Sequence, residues 1–127
     1  MLNISAVFLG GGIGAVLRYL TGILTIRYLT INYHPLPTFL VNVTGCFILG
    51  VIYIYCTEKA QINPALKLLL TAGFCGGLTT FSTFSFEIFD MIQNLQYVHA
   101  VLYMVLSLII GISAVFLGGY LCRIFII

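Results

Sequence analysis

Hydrogen-bond donors without a formal charge are spread along the apolar segments of this chain. They are one carboxamide and three hydroxyls: Asn42, Thr80, Tyr103 and Ser107. Such groups donate hydrogen bonds and carry no fixed negative charge, so a row of them favours an anion over a cation as the ion that passes. The acidic residues, Glu58, Glu87 and Asp90, form no paired-carboxylate arrangement. We therefore expect no enzyme activity.

Phenylalanine and hydroxyl residues alternate in the third apolar segment, where five of the ten phenylalanines lie between Phe74 and Phe89. Phe81, Phe84 and Ser85 are spaced i, i+3 and i+4, which places them on one face of a helix. The edge of a phenyl ring carries partial positive charge, so rings on that face can contact an anion. An aromatic stripe at helical spacing is also typical of a packed core, and the spacing alone leaves that interpretation open.

Arg18 lies in the body of the first apolar segment, where inserting a cation costs at least about 2.5 kcal/mol. Gly10, Gly14 and Gly22 share its helical face at intervals of four residues, and a stripe of small residues lets another helix approach closely. We interpret Arg18 as a residue that attracts an anion. The alternatives are snorkelling to the membrane interface and pairing with Glu87.

The stretch Gly73-Phe-Cys-Gly-Gly-Leu-Thr-Thr-Phe-Ser-Thr-Phe-Ser85 carries the strongest signal for irregular backbone in the chain. Backbone polar groups in hydrocarbon need partners, so irregular backbone persists there only inside protein or beside a cavity. The stretch contains no proline, so Gly76-Gly77 and the hydroxyl residues after them are the expected cause of a break. This pattern predicts an ion pathway in the third helix.

The elements that position these residues follow from composition. Hydrophobic residues make up 61% of the 127 residues, charged residues make up 6%, and the mean hydropathy is +1.17, so the chain is predicted to be an integral membrane protein. Spanning a bilayer takes about 20 apolar residues, and four such runs are present. We predict an all-α domain over residues 1–127, with helices at about 4–29, 36–55, 65–92 and 97–125 and a break near 76–80. Asn63 is the predicted N-cap of the third helix, with Pro64 at its first position.

The basic residues give only a weak preference for one orientation in the membrane. With four spans, Lys59, Lys67 and Arg123 lie on one side and Arg27 lies on the other, and only lysine and arginine count in the positive-inside rule. The sequence therefore permits insertion in both orientations. The net charge of +2 is small and scattered, so no nucleic-acid partner is expected.

Three motifs resemble those of the Fluc (CrcB-type) family of bacterial fluoride channels, and the resemblance covers nearly the whole chain. Gly10-Gly-Gly-Ile-Gly-Ala-Val-Leu-Arg-Tyr19 resembles the first-helix motif of the family, and Asn42-Val-Thr-Gly45 its second-helix motif. The stretch from Gly73 to Ser85 resembles the third-helix signature, which is highly specific. The resemblance implies an antiparallel, dual-topology homodimer in the cell membrane that passes fluoride out of the cell through two pores.

The resemblance also implies roles for particular residues. Backbone carbonyls of Gly76 and Thr79 from both subunits would hold one structural sodium ion. The rings of Phe81 and Phe84 and the amide of Asn42 would contact fluoride, and the hydroxyls of Tyr103, Ser107 and Thr80 would continue the pathway. Arg18 would raise the anion concentration at a vestibule, and Glu87 would lie near the pore. Gly111 stands one turn after Ser107, where the family can carry a further hydroxyl residue.

Two other classes of protein have a similar length and hydropathy. A small dual-topology drug/proton antiporter of four helices needs an embedded carboxylate to exchange protons, and the first span has Arg18 in place of an acid. A membrane scaffold subunit without transport activity would leave the Gly76-Gly77 pair and the polar groups within the spans unexplained.

Overall fold

The computed structural model describes residues 1–29, 35–58 and 62–125, and every regular element in these ranges is helical. Its α-helices are α1 (Leu2–Leu29), α2 (Pro35–Glu58), α3 (Pro64–Leu68), α4 (Gly76–Leu78), α5 (Phe81–Gln93) and α6 (Tyr97–Phe125). Four stretches are long and apolar enough to span a membrane: Leu2–Tyr28, Pro35–Glu58, Pro64–Gln93 and Tyr97–Phe125. The predicted all-α membrane protein with four spanning helices is confirmed.

The third span begins with the predicted cap. The Asn63 side-chain oxygen accepts a hydrogen bond of 2.9 Å from the backbone N–H of Ala65, and Pro64 occupies the start of α3. An asparagine at this position satisfies one of the free N–H groups at a helix N-terminus, and proline fits the first turn because its missing N–H is not needed there.

The third span is not one continuous α-helix. A π-helical segment, Leu69–Cys75, follows α3 and leads into α4. Thr79 (φ −80°, ψ 158°) and Thr80 (φ −149°, ψ 118°) then adopt extended conformations before α5 begins. We call this pair of residues the break.

The break falls at the end of the predicted range of residues 76–80, at the hydroxyl residues Thr79 and Thr80, whereas Gly76 and Gly77 lie within α4. The small size of Gly77 serves packing instead. A Cβ atom on Gly77 would lie 2.9 Å from the Cα atom of Gly11 on α1, closer than two carbon atoms can approach. The glycine therefore allows contact between helices, and the change of direction comes two residues later.

Glycines also set how the four spans pack. Gly10 and Gly14 of α1 lie against the backbone of the third span, and Gly50 of α2 and Gly118 of α6 lie against the backbone of each other's helix. Such close approach is typical of helices packed in a membrane. It brings α1 to one side of the break and α2 with α6 to the other.

The charged residues at the ends of the helices add little to the stability of the fold. Arg123 forms an exposed ion pair of 3.1 Å with Glu58, and exposed pairs of this kind contribute at most about 1 kcal/mol. Lys67 lies in α3 and Arg27 in the last turn of α1. Lys59, which also entered the charge balance, lies outside the described residues.

Candidate functional site

Asn42 of α2 holds the backbone of the break. Its side-chain oxygen accepts a 2.8 Å hydrogen bond from the Thr80 N–H, and its Nδ2 donates a 3.2 Å hydrogen bond to the Thr80 carbonyl. In a continuous helix the Thr80 N–H would instead donate to the carbonyl of Gly76. Asn42 therefore replaces one helical hydrogen bond and removes a donor from the Gly76 carbonyl.

The polar groups of Thr79 point in two directions. Its backbone N–H and its hydroxyl both donate to the Cys75 carbonyl, at 3.0 Å and 2.9 Å. Its own carbonyl accepts a 3.1 Å hydrogen bond from Nη1 of Arg18. A carbonyl oxygen has two lone pairs, so the Thr79 carbonyl can accept a second partner.

Thr80 starts α5 as its N-cap. Its hydroxyl oxygen accepts a 3.2 Å hydrogen bond from the Thr83 N–H, and the hydroxyl donates to Thr83 Oγ1 at 3.0 Å. Free N–H groups and the helix dipole place partial positive charge at this end of α5. The break therefore presents the carbonyl end of α4 and the N–H end of α5 side by side.

A cavity of about 570 Å³ lies beside the break, between α2, the third span and α6, and we call it the Ser107 cavity. The lining residues used below are Asn42, Gly76, Thr79, Thr80, Phe81, Phe84 and Ser107. The Ser107 Oγ atom is buried and has no hydrogen-bond partner among the described residues. A buried hydroxyl without a partner costs on the order of 1–3 kcal/mol, so this atom is suited to a ligand that enters the cavity.

A second cavity, of about 470 Å³, lies on the α1 side of the break, and we call it the Arg18 cavity. Arg18, Thr38, Thr80 and Thr83 are among the residues that line it. Thr80 lines both cavities. The break therefore separates a cavity with a guanidinium from a cavity with uncharged donors and aromatic rings.

The aromatic rings of the site form one connected group. The ring centroid of Phe84 lies 5.1 Å from that of Tyr103 and 6.1 Å from that of Phe81. Phe84 is 9% exposed, whereas Phe81 is 79% exposed. Phe84 is thus buried within the chain, and Phe81 presents its ring at the surface.

Glu87 receives hydroxyl donors on both carboxylate oxygens. Thr38 donates to Oε1 at 2.6 Å, and Tyr103 donates to Oε2 at 2.7 Å. These short hydrogen bonds tie α5 to α2 and to α6. The sequence alone did not indicate the contact between Thr38 and Glu87, because the two residues are far apart along the chain.

The structure brings seven of the predicted site residues together around the Ser107 cavity and places the other three apart from it. Tyr103 and Glu87 contact each other next to Phe84, and Arg18 lies across the break. Among the described residues, no group of three or more His, Cys, Asp or Glu side chains could hold a metal. A cation at this site would therefore depend on backbone and hydroxyl oxygens.

The sequence of the chain also matches that of a known protein family. The family described as "CrcB-like protein, Camphor Resistance (CrcB)" matches residues 5–119.

Three relatives are each named "Fluoride-specific ion channel FluC". The protein of Gloeothece citriformis is 47% identical over 124 residues, covering 97% of this chain and 98% of the relative. That of Hydrogenobaculum sp. is 43% identical over 120 residues, covering 94% and 97%. That of Phocaeicola vulgatus is 44% identical over 118 residues, covering 93% and 96%.

Proposed function

Because the chain belongs to the CrcB-like family, we propose that it is a passive, fluoride-selective channel that exports fluoride across the cell membrane. The chain is a multi-pass bacterial membrane protein, and its family comprises transport proteins rather than enzymes. The observation that carries the proposal is the Ser107 cavity, in which a buried hydroxyl without a partner shares one lining with two phenyl rings and a carboxamide.

The lining of this cavity suits a small anion. Only one of the two N–H groups on Asn42 Nδ2 is used in its hydrogen bond to Thr80, so the other can donate to an anion. Ser107 adds a hydroxyl donor, and the Phe81 and Phe84 rings add edges with partial positive charge. These groups together replace part of the hydration shell of fluoride without a fixed charge that would bind it too tightly for conduction.

The two helix ends at the break favour opposite charges. The N–H end of α5 favours an anion, and the carbonyl end of α4 favours a cation. Interrupted spanning helices use their ends in this way near the middle of the bilayer. We place the break at that depth, so that α5 starts beside the fluoride pathway.

We assign the backbone carbonyls of Gly76 and Thr79 as ligands of one structural sodium ion. The Gly76 carbonyl lacks its helical donor, because the Thr80 N–H donates to Asn42 instead. The Thr79 carbonyl has a second lone pair beyond the one that accepts from Arg18. Both residues line the Ser107 cavity. Oxygen ligands suit a hard cation. When bound, sodium would supply a positive charge that compensates the carbonyl dipoles at the end of α4.

A second copy of this chain, in antiparallel orientation, is the proposed cover of the Ser107 cavity. Against lipid, hydrocarbon would occupy the cavity beside the Asn42 carboxamide, which is costly. The exposed ring of Phe81 lies on the same face. The weak charge bias of the loops is compatible with insertion in both orientations, which such a dimer requires.

The antiporter alternative is not favoured, since the relatives are named as ion channels. The carboxylate of Glu87 is also bonded to Thr38 and Tyr103. An exchanger would instead need a carboxylate that alternates between a proton and a cationic substrate.

Fluoride release from sealed vesicles tests the proposed function. The purified protein is placed in vesicles loaded with potassium fluoride, a potassium ionophore carries the counter-ion, and a protonophore collapses the proton gradient. We expect rapid release of fluoride, and no release of chloride from matched vesicles loaded with potassium chloride. Replacement of both Phe81 and Phe84 by isoleucine should slow release about tenfold or more, since the ring edges with partial positive charge are lost from the pathway. A fluoride electrode measures the rate.

The matched control replaces Phe86 and Phe89, two exposed phenylalanines of the same helix that are not among the lining residues of the Ser107 cavity. Their double isoleucine variant should release fluoride at the wild-type rate. Absence of fluoride release from wild-type vesicles would refute the channel, and release that requires a proton gradient would favour the antiporter.

Replacement of Ser107 by alanine should separate function from stability. Because the hydroxyl is buried without a partner among the described residues, its removal should leave the thermal midpoint unchanged or raise it. The free energy of unfolding should increase by at most about 1–3 kcal/mol. Fluoride release should nevertheless fall, since a donor of the pathway is lost. Ser113→Ala on an exposed position of the same helix is the control, and wild-type release by Ser107→Ala would remove Ser107 from the pathway.

A further inference from the structure

We propose that Arg18 is a positioning residue for the break: its guanidinium fixes the Thr79 carbonyl and thereby sets the affinity for the cation. This inference rests on the proposed function and deepens it, because it gives Arg18 a task beyond attracting anions. The two roles predict different behaviour when the positive charge is kept and the planar guanidinium is removed.

The packing of α1 delivers Arg18 to the break. Gly14 lies against the backbone of Phe74 and Leu78, so α1 and the third span are in direct contact one turn before Arg18. From this position on α1, Arg18 Nη1 donates a partly buried hydrogen bond of 3.1 Å to the Thr79 carbonyl. The backbone contacts of α1 therefore place Arg18 close to the break, within reach of the Thr79 carbonyl.

The hydrogen bond acts on the one polar group of Thr79 that the helix does not hold. The N–H and the hydroxyl of Thr79 are both bonded to the Cys75 carbonyl, whereas its carbonyl has left the helical ladder because the backbone is extended. Asn42 fixes the next residue, Thr80, from the opposite side. Arg18 and Asn42 thus clamp the two residues of the break from α1 and from α2.

This clamp has a direct consequence for a cation ligand. A carbonyl with a fixed direction coordinates without first losing rotational freedom, and a preorganised ligand binds more tightly. A lysine at position 18 would keep the charge but replace a planar group of five donors by a single ammonium on a flexible stem. It would therefore preserve attraction of anions and lose the fixed geometry.

Sodium-dependent thermal stability is the test. The apparent unfolding midpoint of purified protein is measured at one heating rate while sodium replaces N-methylglucamine at constant ionic strength, because a ligand that binds only the folded state raises the midpoint with its concentration. We expect Arg18→Lys to need up to about tenfold more sodium for the same shift, because the released carbonyl must be ordered when the ion binds. Arg18→Gln should show a smaller increase, because it also loses a positive charge that repels a cation.

Arg27 supplies the matched control. It lies on the same helix, is exposed, and stacks on Tyr28 at 5.8 Å, so Arg27→Lys and Arg27→Gln should follow the wild-type sodium titration. An Arg18→Lys titration that matches wild type would overturn the inference and leave Arg18 as a source of charge. If Arg18→Gln yields no folded protein, Arg18→Lys decides alone.

Fluoride release measured on the same preparations separates this inference from the proposed function. Wild-type protein that releases fluoride but whose midpoint does not respond to sodium would overturn the inference and leave the channel intact. Wild-type protein that releases no fluoride would refute the channel, whereas the difference between Arg18 and Arg27 variants in sodium titration would still support the clamp.

Discussion

Replacement of Gly14 by alanine is expected to prevent the protein from accumulating in folded form. A Cβ atom there would lie 2.6 Å from the backbone nitrogen of Leu78 and closer still to the Phe74 carbonyl oxygen. Both are backbone atoms, so no side-chain rotation relieves the clash and α1 must move away from the third span. We expect a loss of at least about 3 kcal/mol, the upper part of the usual range for overpacking.

Gly12→Ala provides a control for which the expected change in stability has the opposite sign. Position 12 lies on the same helix, and a Cβ atom there would meet no other atom within 4 Å. Alanine is a better helix former than glycine by up to about 1 kcal/mol, so this variant should be as stable as wild type or more stable. The measurements are monodisperse yield after detergent extraction and the apparent thermal midpoint. Wild-type values for Gly14→Ala would contradict the close packing of α1.

The four spans could be predicted from the sequence because bilayer thickness relates directly to the length of an apolar run. The glycine stripe of α1 could also be recognised, since residues four apart share a helical face. The sequence did not distinguish among its members, however. Gly10 and Gly14 contact the third span closely, whereas a Cβ atom on Gly22 would meet nothing within 4 Å.

The position of the break was harder to predict because glycine has two uses. It tolerates unusual backbone conformations, and it lets backbones approach each other. The sequence pattern suggested the first use for Gly76 and Gly77, and the structure shows both inside α4. The extended residues are Thr79 and Thr80, which Arg18 and Asn42 hold from other helices.

The polar contacts across helices could not be predicted from spacing within any one helix. Glu87 bonds to Thr38 and to Tyr103, residues on two other spans. Helical periodicity identifies which side chains share a face but not which faces meet. The π-helical segment Leu69–Cys75 could likewise not be predicted from the sequence, because a uniformly apolar run shows no change of period where the helix widens.

Replacement of Asn42 by aspartate is expected to reduce fluoride release about a hundredfold or more. The change is nearly isosteric, and a carboxylate oxygen can still accept from the Thr80 N–H, which lies 2.8 Å from Asn42 Oδ1. The other oxygen would face the Thr80 carbonyl, to which Nδ2 now donates at 3.2 Å. It would also place negative charge in the Ser107 cavity, where repulsion of an anion at about 4 Å amounts to roughly 4 kcal/mol at an effective dielectric constant of about 20.

Asn94→Asp is the matched control, because Asn94 also donates through Nδ2 to a backbone carbonyl, that of Asp90 at 2.9 Å, in an exposed turn. Both variants lose one amide-to-carbonyl hydrogen bond and gain one negative charge, but only Asn42 lines the Ser107 cavity. A difference in fluoride release between them, measured in vesicles at neutral pH, therefore reports the position of the charge and not its presence. Wild-type release by Asn42→Asp would show that fluoride does not pass this side chain, and the pathway would have to run elsewhere in the protein.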